Sequence, residues 1–269
     1  MPLSVATWNI NSVRLRLKLV LDYLERARPD VLCLQETKCL DDLFPRSAFR
    51  DIGYAHQAIR GDKGYNGVAI LSRLPLGEPS CLPFGRKGDA RHIAAEATLE
   101  SGARVTVHNF YVPAGGDIPS PELNVKFAHK LGFLKDMREW SIEQAGTSCA
   151  AVVTGDLNVA PYESDVWSHK QLLDVVSHTP VETETLEDIR RCGEWTDAVR
   201  HRIPEPERVY TWWSYRALDW MASNRGRRLD HIWVSAPLAG AIGEVMIETA
   251  ARGLERPSDH VPVLLSLNL

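Results

Sequence analysis

Cysteine is scarce: the chain has five, an odd number, and no C-x-x-C pair. That excludes a disulfide framework and the usual zinc spacings, and it points to free thiols in a reducing compartment, the cytoplasm. No apolar run approaches membrane-spanning length. The first residues lack the basic stretch and apolar core of a secretion signal, so a soluble chain is expected. Low-complexity linkers, composition breaks and internal repeats are also missing, and residues 1–269 read as one domain. Neither sign of charge dominates. With a formal net charge of −4, a nucleic-acid site has to be a local basic patch on a mildly acidic body.

What is present is an ordinary globular composition, 44% apolar and 25% charged, long enough for one large domain. The most informative stretch is Val152-Val153-Thr154-Gly155-Asp156-Leu157-Asn158. An apolar run from Cys149 to Val153 reads as a buried strand that stops at a glycine, with Asp156 and Asn158 directly after it. Side chains two apart on extended backbone point the same way, so the carboxylate and the carboxamide should project together. Such a pair can hold a metal ion, a water or a phosphate oxygen, and taken alone it is equally an Asx-rich turn.

Other segments end in the same manner. Leu3 to Ile10 reads as a strand closing on Trp8-Asn9-Ile10-Asn11. Leu17, Val20, Leu21 and Leu24 then mark an amphipathic helix that Pro29 terminates. Val31 to Leu34 is a short apolar strand running into Gln35-Glu36-Thr37-Lys38. Polar residues at both strand ends of such a unit, here Asn9 and Glu36, are where sites assemble. In the strand Ala103 to Tyr111, alternation places Asn109 and Tyr111 on the side of Val105 and Val107. Asp230 sits at the head of the strand Leu229 to Val234, where a charge needs a partner. Asp259-His260 opens the last strand.

Three stretches are candidate contact loops: the Gly61 to Asn66 turn with Lys63 and Tyr65, the basic loop Arg86 to His92, and the aromatic cluster Tyr210 to Trp213 followed by Trp220 and Arg225 to Arg228. Aromatics interleaved with arginines suit stacking on bases and pairing with phosphate. A hairpin turn, a solvated face and a core cluster are the plain structural readings of these three. Ser120-Pro121 reads as a cap and first helical position for a helix running to about Gln144. Tyr162 to Arg202 reads as polar and helical in pieces, and its histidines (His169, His178 and His201) lack a partner at a diagnostic spacing.

Together the strand ends describe one chemistry. Glu36, helped by Asp259 or Asn9, offers oxygen ligands for Mg²⁺, and such an ion polarises a phosphoryl oxygen. His260 with a carboxylate such as Asp230 makes an oriented imidazole. Asp156 can take a proton from water while Asn158 positions it. The residues themselves thus point to metal-assisted phosphoester hydrolysis.

The strings Trp8-Asn9-Ile10-Asn11, Leu34-Gln35-Glu36-Thr37-Lys38, Tyr111-Val112-Pro113, Gly155-Asp156-Leu157-Asn158, Arg228-Leu229-Asp230 and Ser258-Asp259-His260 resemble, in order and across the chain, the motifs of the exonuclease III type of apurinic/apyrimidinic endonucleases. The resemblance implies a DNase I-like four-layered α/β sandwich, two mixed sheets face to face with helices outside, and a site at one rim. It implies a Mg²⁺- or Mn²⁺-dependent enzyme acting on double-stranded DNA in base excision repair, as a monomer with no membrane association. The reactions implied are incision 5′ to abasic sites and 3′-end trimming or cleaning.

Carried over by position, Asn9, Glu36 and Asp259 become metal or metal-proximal residues, and the wider set around the ion adds Asp156, Asn158 and His260. Asp156 becomes the proton acceptor, Asn158 the water-orienting group and Tyr111 a donor at the scissile phosphate. His260 contacts the phosphate with Asp230 behind it. Lys63, Tyr65, Asn66, Arg91, Trp212, Arg225 and Arg227 fall where such enzymes grip DNA, with Trp212 lining the abasic pocket.

Two positions depart from the pattern. Ala114 stands where many relatives carry an amide, followed by Gly115-Gly116, whose backbone N–H groups could substitute. Arg227 stands where some carry a bulky wedge, and is expected to contact a phosphate or fill the duplex gap. Sister hydrolases on the same scaffold generally place a histidine in the strand that here ends Asn109-Phe110-Tyr111, so Tyr111 favours the DNA-repair branch. A non-catalytic DNA-binding protein would have lost Glu36, Asp156 or His260.

Overall fold

The computed structural model describes residues 2–217 and 219–269. In chain order the first half carries β1 (Pro2–Asn9), α1 (Leu17–Ala27), β2 (Val31–Gln35), α2 (Arg46–Asp51), β3 (His56–Arg60), β4 (Val68–Ser72), β5 (His92–Thr98), β6 (Arg104–Tyr111) and α3 (Val125–Gln144). The second half carries β7 (Ala151–Asp156), α4 (His169–Leu172), α5 (Pro180–Cys192), β8 (Thr196–Asp197), α6 (Ala198–Arg202), β9 (Trp212–Trp213), α7 (Trp220–Ser223), β10 (Gly226–Arg227), β11 (Asp230–Val234), α8 (Ala236–Ala239), β12 (Ile242–Ile247) and β13 (Val263–Asn268).

Alternation along each strand builds the layers. In β1, Leu3 and Val5 face an inner core while Ala6 and Trp8 face an outer one that includes Val20, Tyr23 and Leu24 of α1. In β6, Val105, Val107 and Tyr111 face inward and Phe110 outward, against Phe133, Met137 and Trp140 of α3. A six-stranded sheet, β12-β13-β1-β2-β4-β3, therefore stacks on a five-stranded sheet, β5-β6-β7-β11-β8, with helices outside both. Both sheets are mixed: β1 pairs parallel with β2 and β6 with β7, the remaining pairs being antiparallel. This is the four-layered sandwich expected. Each Val, Ile or Leu sealed between the sheets contributes about 1.5–3 kcal/mol. No helix among the described residues is long and apolar enough to cross a membrane.

The same parity positions the polar residues. Counting in twos from the inner-core residues of β1, β6, β7 and β11 leads to Asn9, Tyr111, Asp156 and Asp230. β11 runs against β7 with Asp230 opposite Asp156, and Tyr111 lies opposite Asp156 in the parallel pair β6–β7. One rim of the sandwich thus collects the inward side chain at which each strand's apolar sequence stops.

Two local expectations fail. The helix at Ser120-Pro121 begins instead at Val125, capped by Asn124, whose side chain accepts from the Lys126 N–H. Ser120 closes a turn ahead of it through its hydroxyl and the Leu123 N–H at 3.3 Å. Nor does the strand after Cys149 stop at glycine. β7 continues through Gly155 to Asp156, and at φ 134° a Cβ on Gly155 would lie 2.0 Å from the Phe110 carbonyl oxygen. Glycine here permits close strand approach rather than ending the strand. The Tyr162 to Arg202 region is helical in pieces, as expected.

Candidate active site

Asn9 is buried at the end of β1, and its amide donates to Glu36 Oε1 at 2.9 Å and Asp156 Oδ2 at 2.8 Å. One carboxamide therefore ties the two sheets together at the rim. Glu36 follows β2 in a left-handed conformation, φ 51°, that turns its side chain back over the strand ends. Its Oε1 also accepts from the Tyr111 hydroxyl at 2.9 Å, and its Oε2 pairs with Lys38 Nζ at 2.7 Å. Burial would raise the Glu36 pKa, but the Lys38 charge and the donated hydrogen bonds hold it below the ordinary value. The site thus keeps an anionic oxygen donor.

Asp156 is almost fully buried. Asn158, itself left-handed at φ 52°, folds back so that its N–H reaches Asp156 Oδ1 at 2.9 Å and its side-chain amide reaches Oδ2 at 3.1 Å. The two side chains meet, although through a tight turn rather than along extended backbone. Burial pushes the Asp156 carboxyl up, the nearby His260 charge opposes it, and Asp230 and Glu36 push it further, to about 7.

His260 Nδ1 lies 2.8 Å from Asp230 Oδ2, and its Nε2 lies 3.7 Å from Asp156 Oδ2, beyond a good hydrogen bond. Burial alone would depress this imidazole, but Asp230 first and Asp156 next lift its pKa to about 10, so it stands as an imidazolium at neutral pH. Asp230 in turn accepts from the Thr211 hydroxyl at 2.6 Å and keeps Oδ1 without a hydrogen-bond partner. The Asp156, Asp230 and His260 ligand atoms fall within 4.8 Å of one another.

Burial, then the Glu36 and Asp156 charges, push the Tyr111 hydroxyl well above its usual range, so it is a hydrogen-bond donor. The Arg91 guanidinium lies 4.6 Å from the Tyr111 ring centroid and bonds Asp89 at 3.0 Å. Arg91, one of the residues expected to grip DNA, thus packs on Tyr111. Asp259 accepts from Asn11 at 3.2 Å and from the Trp212 indole at 3.0 Å, and it is held below its usual pKa because these donors and His260 outweigh its burial.

Outside this ring the expected residues diverge. Trp212 lines a cavity of about 640 Å³, together with Trp167, Val176, Arg225 and Arg227. Tyr210 and Trp213 are core residues, edge-to-face at 6.2 Å. Arg227 bonds the Val176 carbonyl at 3.0 Å and the Ser177 hydroxyl at 2.7 Å, with its guanidinium 5.3 Å from the Trp212 ring. It reinforces the cavity wall. Arg225 stacks 4.6 Å over Trp167. Lys63 and Tyr65 project into solvent, while the Asn66 carbonyl accepts from the Lys38 N–H at 3.0 Å and helps hold Glu36's partner.

Residue-type reasoning gave no separate role to Lys38, Asn11 or Thr211, although the first two lie in quoted motifs. Lys38 Nζ bridges Glu36 to Asn11 Oδ1 at 2.6 Å. It also missed Lys130, fully buried on α3, whose Nζ donates to the Asn158 carbonyl at 2.7 Å. The signal was available: Phe127, Lys130 and Leu134 share a helical face, which sets a charge within an apolar stripe.

The model of the Endonuclease/Exonuclease/phosphatase family matches residues 6–260. The chain is 32% identical over 268 residues to exodeoxyribonuclease III of Haemophilus influenzae, covering 96% of this chain and 97% of that protein. Among solved structures it resembles an AP endonuclease from Archaeoglobus fulgidus, with a TM-score of 0.90, 34% identity and coverage of 99% and 100% of the two chains. A Neisseria 3′ phosphatase bound to a product DNA hairpin matches with a TM-score of 0.89, 33% identity and the same coverage.

Proposed function

The chain belongs to the endonuclease/exonuclease/phosphatase family, and on that basis we propose that it hydrolyses DNA phosphodiesters in base excision repair. Its reactions would be incision 5′ to abasic sites and removal of nucleotides or blocking groups from 3′ ends. The observation that carries this reading is the hydrogen-bonded chain Tyr111–Glu36–Asn9–Asp156, with His260 beside it as a cation. It offers anionic oxygens, a base titrating near neutrality and two donors within one rim, which is what an attack of water on a phosphodiester requires.

Asn9 bonds Glu36 at 2.9 Å, and Asn11 donates to the Asn9 side-chain oxygen at 3.1 Å and to Asp259 at 3.2 Å, so Glu36, Asn9 and Asp259 share one network of hard oxygens that suits a divalent cation. A Mg²⁺ or Mn²⁺ ion held there would polarise a phosphoryl oxygen and stabilise the leaving alkoxide. Asp156, Asp230 and His260 also bring their ligand atoms within 4.8 Å of one another, and with no ion bound Asp230 and Asp156 favour the charged imidazole. In that form His260 serves the phosphate: Nδ1–H donates to Asp230 at 2.8 Å, leaving Nε2–H for a non-bridging oxygen. Asp156 accepts the proton of the attacking water, which the Asn158 amide orients. The Tyr111 hydroxyl donates to the phosphoryl group. Trp212 forms one wall of the cavity that takes the extrahelical sugar, and Arg225 and Arg227 supply positive charge beside it.

Two end-labelled duplexes test the reading, one with a central abasic site and one with a recessed 3′ end, each with Mg²⁺ and with EDTA. Metal-dependent incision at the abasic position is the expected result, and the ratio to end shortening measures what Ala114 and Arg227 do to the balance. Turnover of ribonucleotide or small phosphoester substrates, with neither duplex cut, would assign the protein to a sister branch.

A further inference from the structure

Behind the hydrolytic turn lies an ion pair that no motif includes. Lys130 of α3 and Glu182 of α5 are both completely buried and bond one another. An ammonium has three donors, and here three separate segments take them. They are the Glu182 carboxylate, the Asn158 carbonyl at 2.7 Å and, more distantly, the Ala114 carbonyl at 3.5 Å. Glu182 is itself saturated, accepting from the Ser177 N–H at 2.9 and 3.0 Å and from the Thr179 hydroxyl at 2.6 Å. Close packing adds to the bonding: a Cβ on Gly115, at φ +90°, would lie 2.9 Å from Lys130 Cδ.

A pair of this kind is not needed for stability as such. Burying two charges costs several kcal/mol per ion, and well-packed apolar residues of the same volume often stabilise a fold equally well or better. What an apolar pair cannot do is bond the carbonyl of Asn158. That carbonyl belongs to a left-handed, non-glycine residue whose N–H and side chain both grip Asp156. Without Lys130 the buried Asn158 carbonyl loses its 2.7 Å partner, and the left-handed turn loses one of the bonds that hold it against Asp156.

We propose that Lys130 and Glu182 form a positioning pair for the hydrolytic turn, with Lys130 fixing the left-handed Asn158 against Asp156 and bracing the loop after Tyr111. Neither touches substrate. The inference rests on the assignment of Asp156 and Asn158 above.

The test is the charge-balanced variant Lys130→Met with Glu182→Gln, which keeps volume, leaves no uncompensated charge and preserves an acceptor for the α5 cap. On abasic duplex its kcat falls about 10- to 100-fold, the scale of a sub-ångström to one-ångström misalignment, while KM and duplex affinity stay within threefold. Amide exchange at Asn158 accelerates at least tenfold. Met137→Ala, on the same helix but facing the outer core, is the stability control and keeps wild-type kcat wherever it remains folded. A double variant with kcat within threefold and unchanged Asn158 exchange overturns the proposal, as does an equal kcat loss in Met137→Ala. If the wild-type protein cleaves no DNA, the functional reading fails, and Asn158 exchange alone then decides the positioning claim.

Discussion

Asp230→Asn separates charge from geometry at the His260 pair. The substitution is close to isosteric, and the carboxamide oxygen it introduces can accept from both His260 Nδ1–H and the Thr211 hydroxyl, so the bonds at 2.8 and 2.6 Å have replacements. What is lost is the negative charge that, with Asp156, lifts the imidazole to about 10 against its burial. With the nearer carboxylate neutral and only Asp156 and Asp259 left to oppose burial, His260 should fall toward its unperturbed value of about 6.5. If the imidazolium is the form that holds the phosphoryl oxygen, the active fraction at pH 8.5 drops from nearly one to about one in a hundred. That is about 2.7 kcal/mol at 1.36 kcal/mol per unit. At pH 6 the variant should lie within a few-fold of wild type. The measurement is kcat/KM for abasic incision from pH 6 to 9.5, with the alkaline limb expected to move inward by more than two units. An equal loss at pH 6 and pH 8.5 would refute the charge argument and leave Asp230 a purely geometric support.

Three further outcomes follow from separate parts of the molecule. Gly155→Ala places a Cβ 2.0 Å from the Phe110 carbonyl in a left-handed backbone, and should lower stability by more than about 3 kcal/mol in denaturant melts, with activity lost alongside. Arg227→Ala should weaken abasic-duplex affinity several-fold and flatten the salt dependence by about 0.9 if the guanidinium meets a phosphate. An affinity loss with an unchanged slope would assign Arg227 to supporting Trp212 alone. Burial lowers the pKa of both His108 and His231 to about 4, so the unfolded chain binds more protons than the fold between pH 6.5 and 4. Their contribution, about 3 kcal/mol apiece at most, is complete above pH 6.5 and is lost as pH falls toward 4. Melting temperatures across that window check it, and a flat profile would contradict it.

The polar rim was legible because strand parity is written into the sequence. An inward-facing series that starts on Leu3 and Val5, on Val105 and Val107 or on Val152 and ends on Asn9, Tyr111 or Asp156 announces a polar group at the mouth of the core, whichever strands turn out to be neighbours. Glu36 and Asn158 could be named but not aimed, since their directions depend on left-handed backbone that only the packed turn enforces. The residues expected to meet DNA were less legible. Loop arginines carry no periodicity, so nothing local distinguishes Arg91 clamped on Tyr111 from Arg225 stacked on Trp167. Lys130 shows the opposite case. A charge within an apolar helical stripe is visible in the sequence, but its meaning waits on a partner 52 residues away. Here the buried charge keeps a directional bond that no hydrophobe could replace, and that bond ends on Asn158, the residue folded against Asp156.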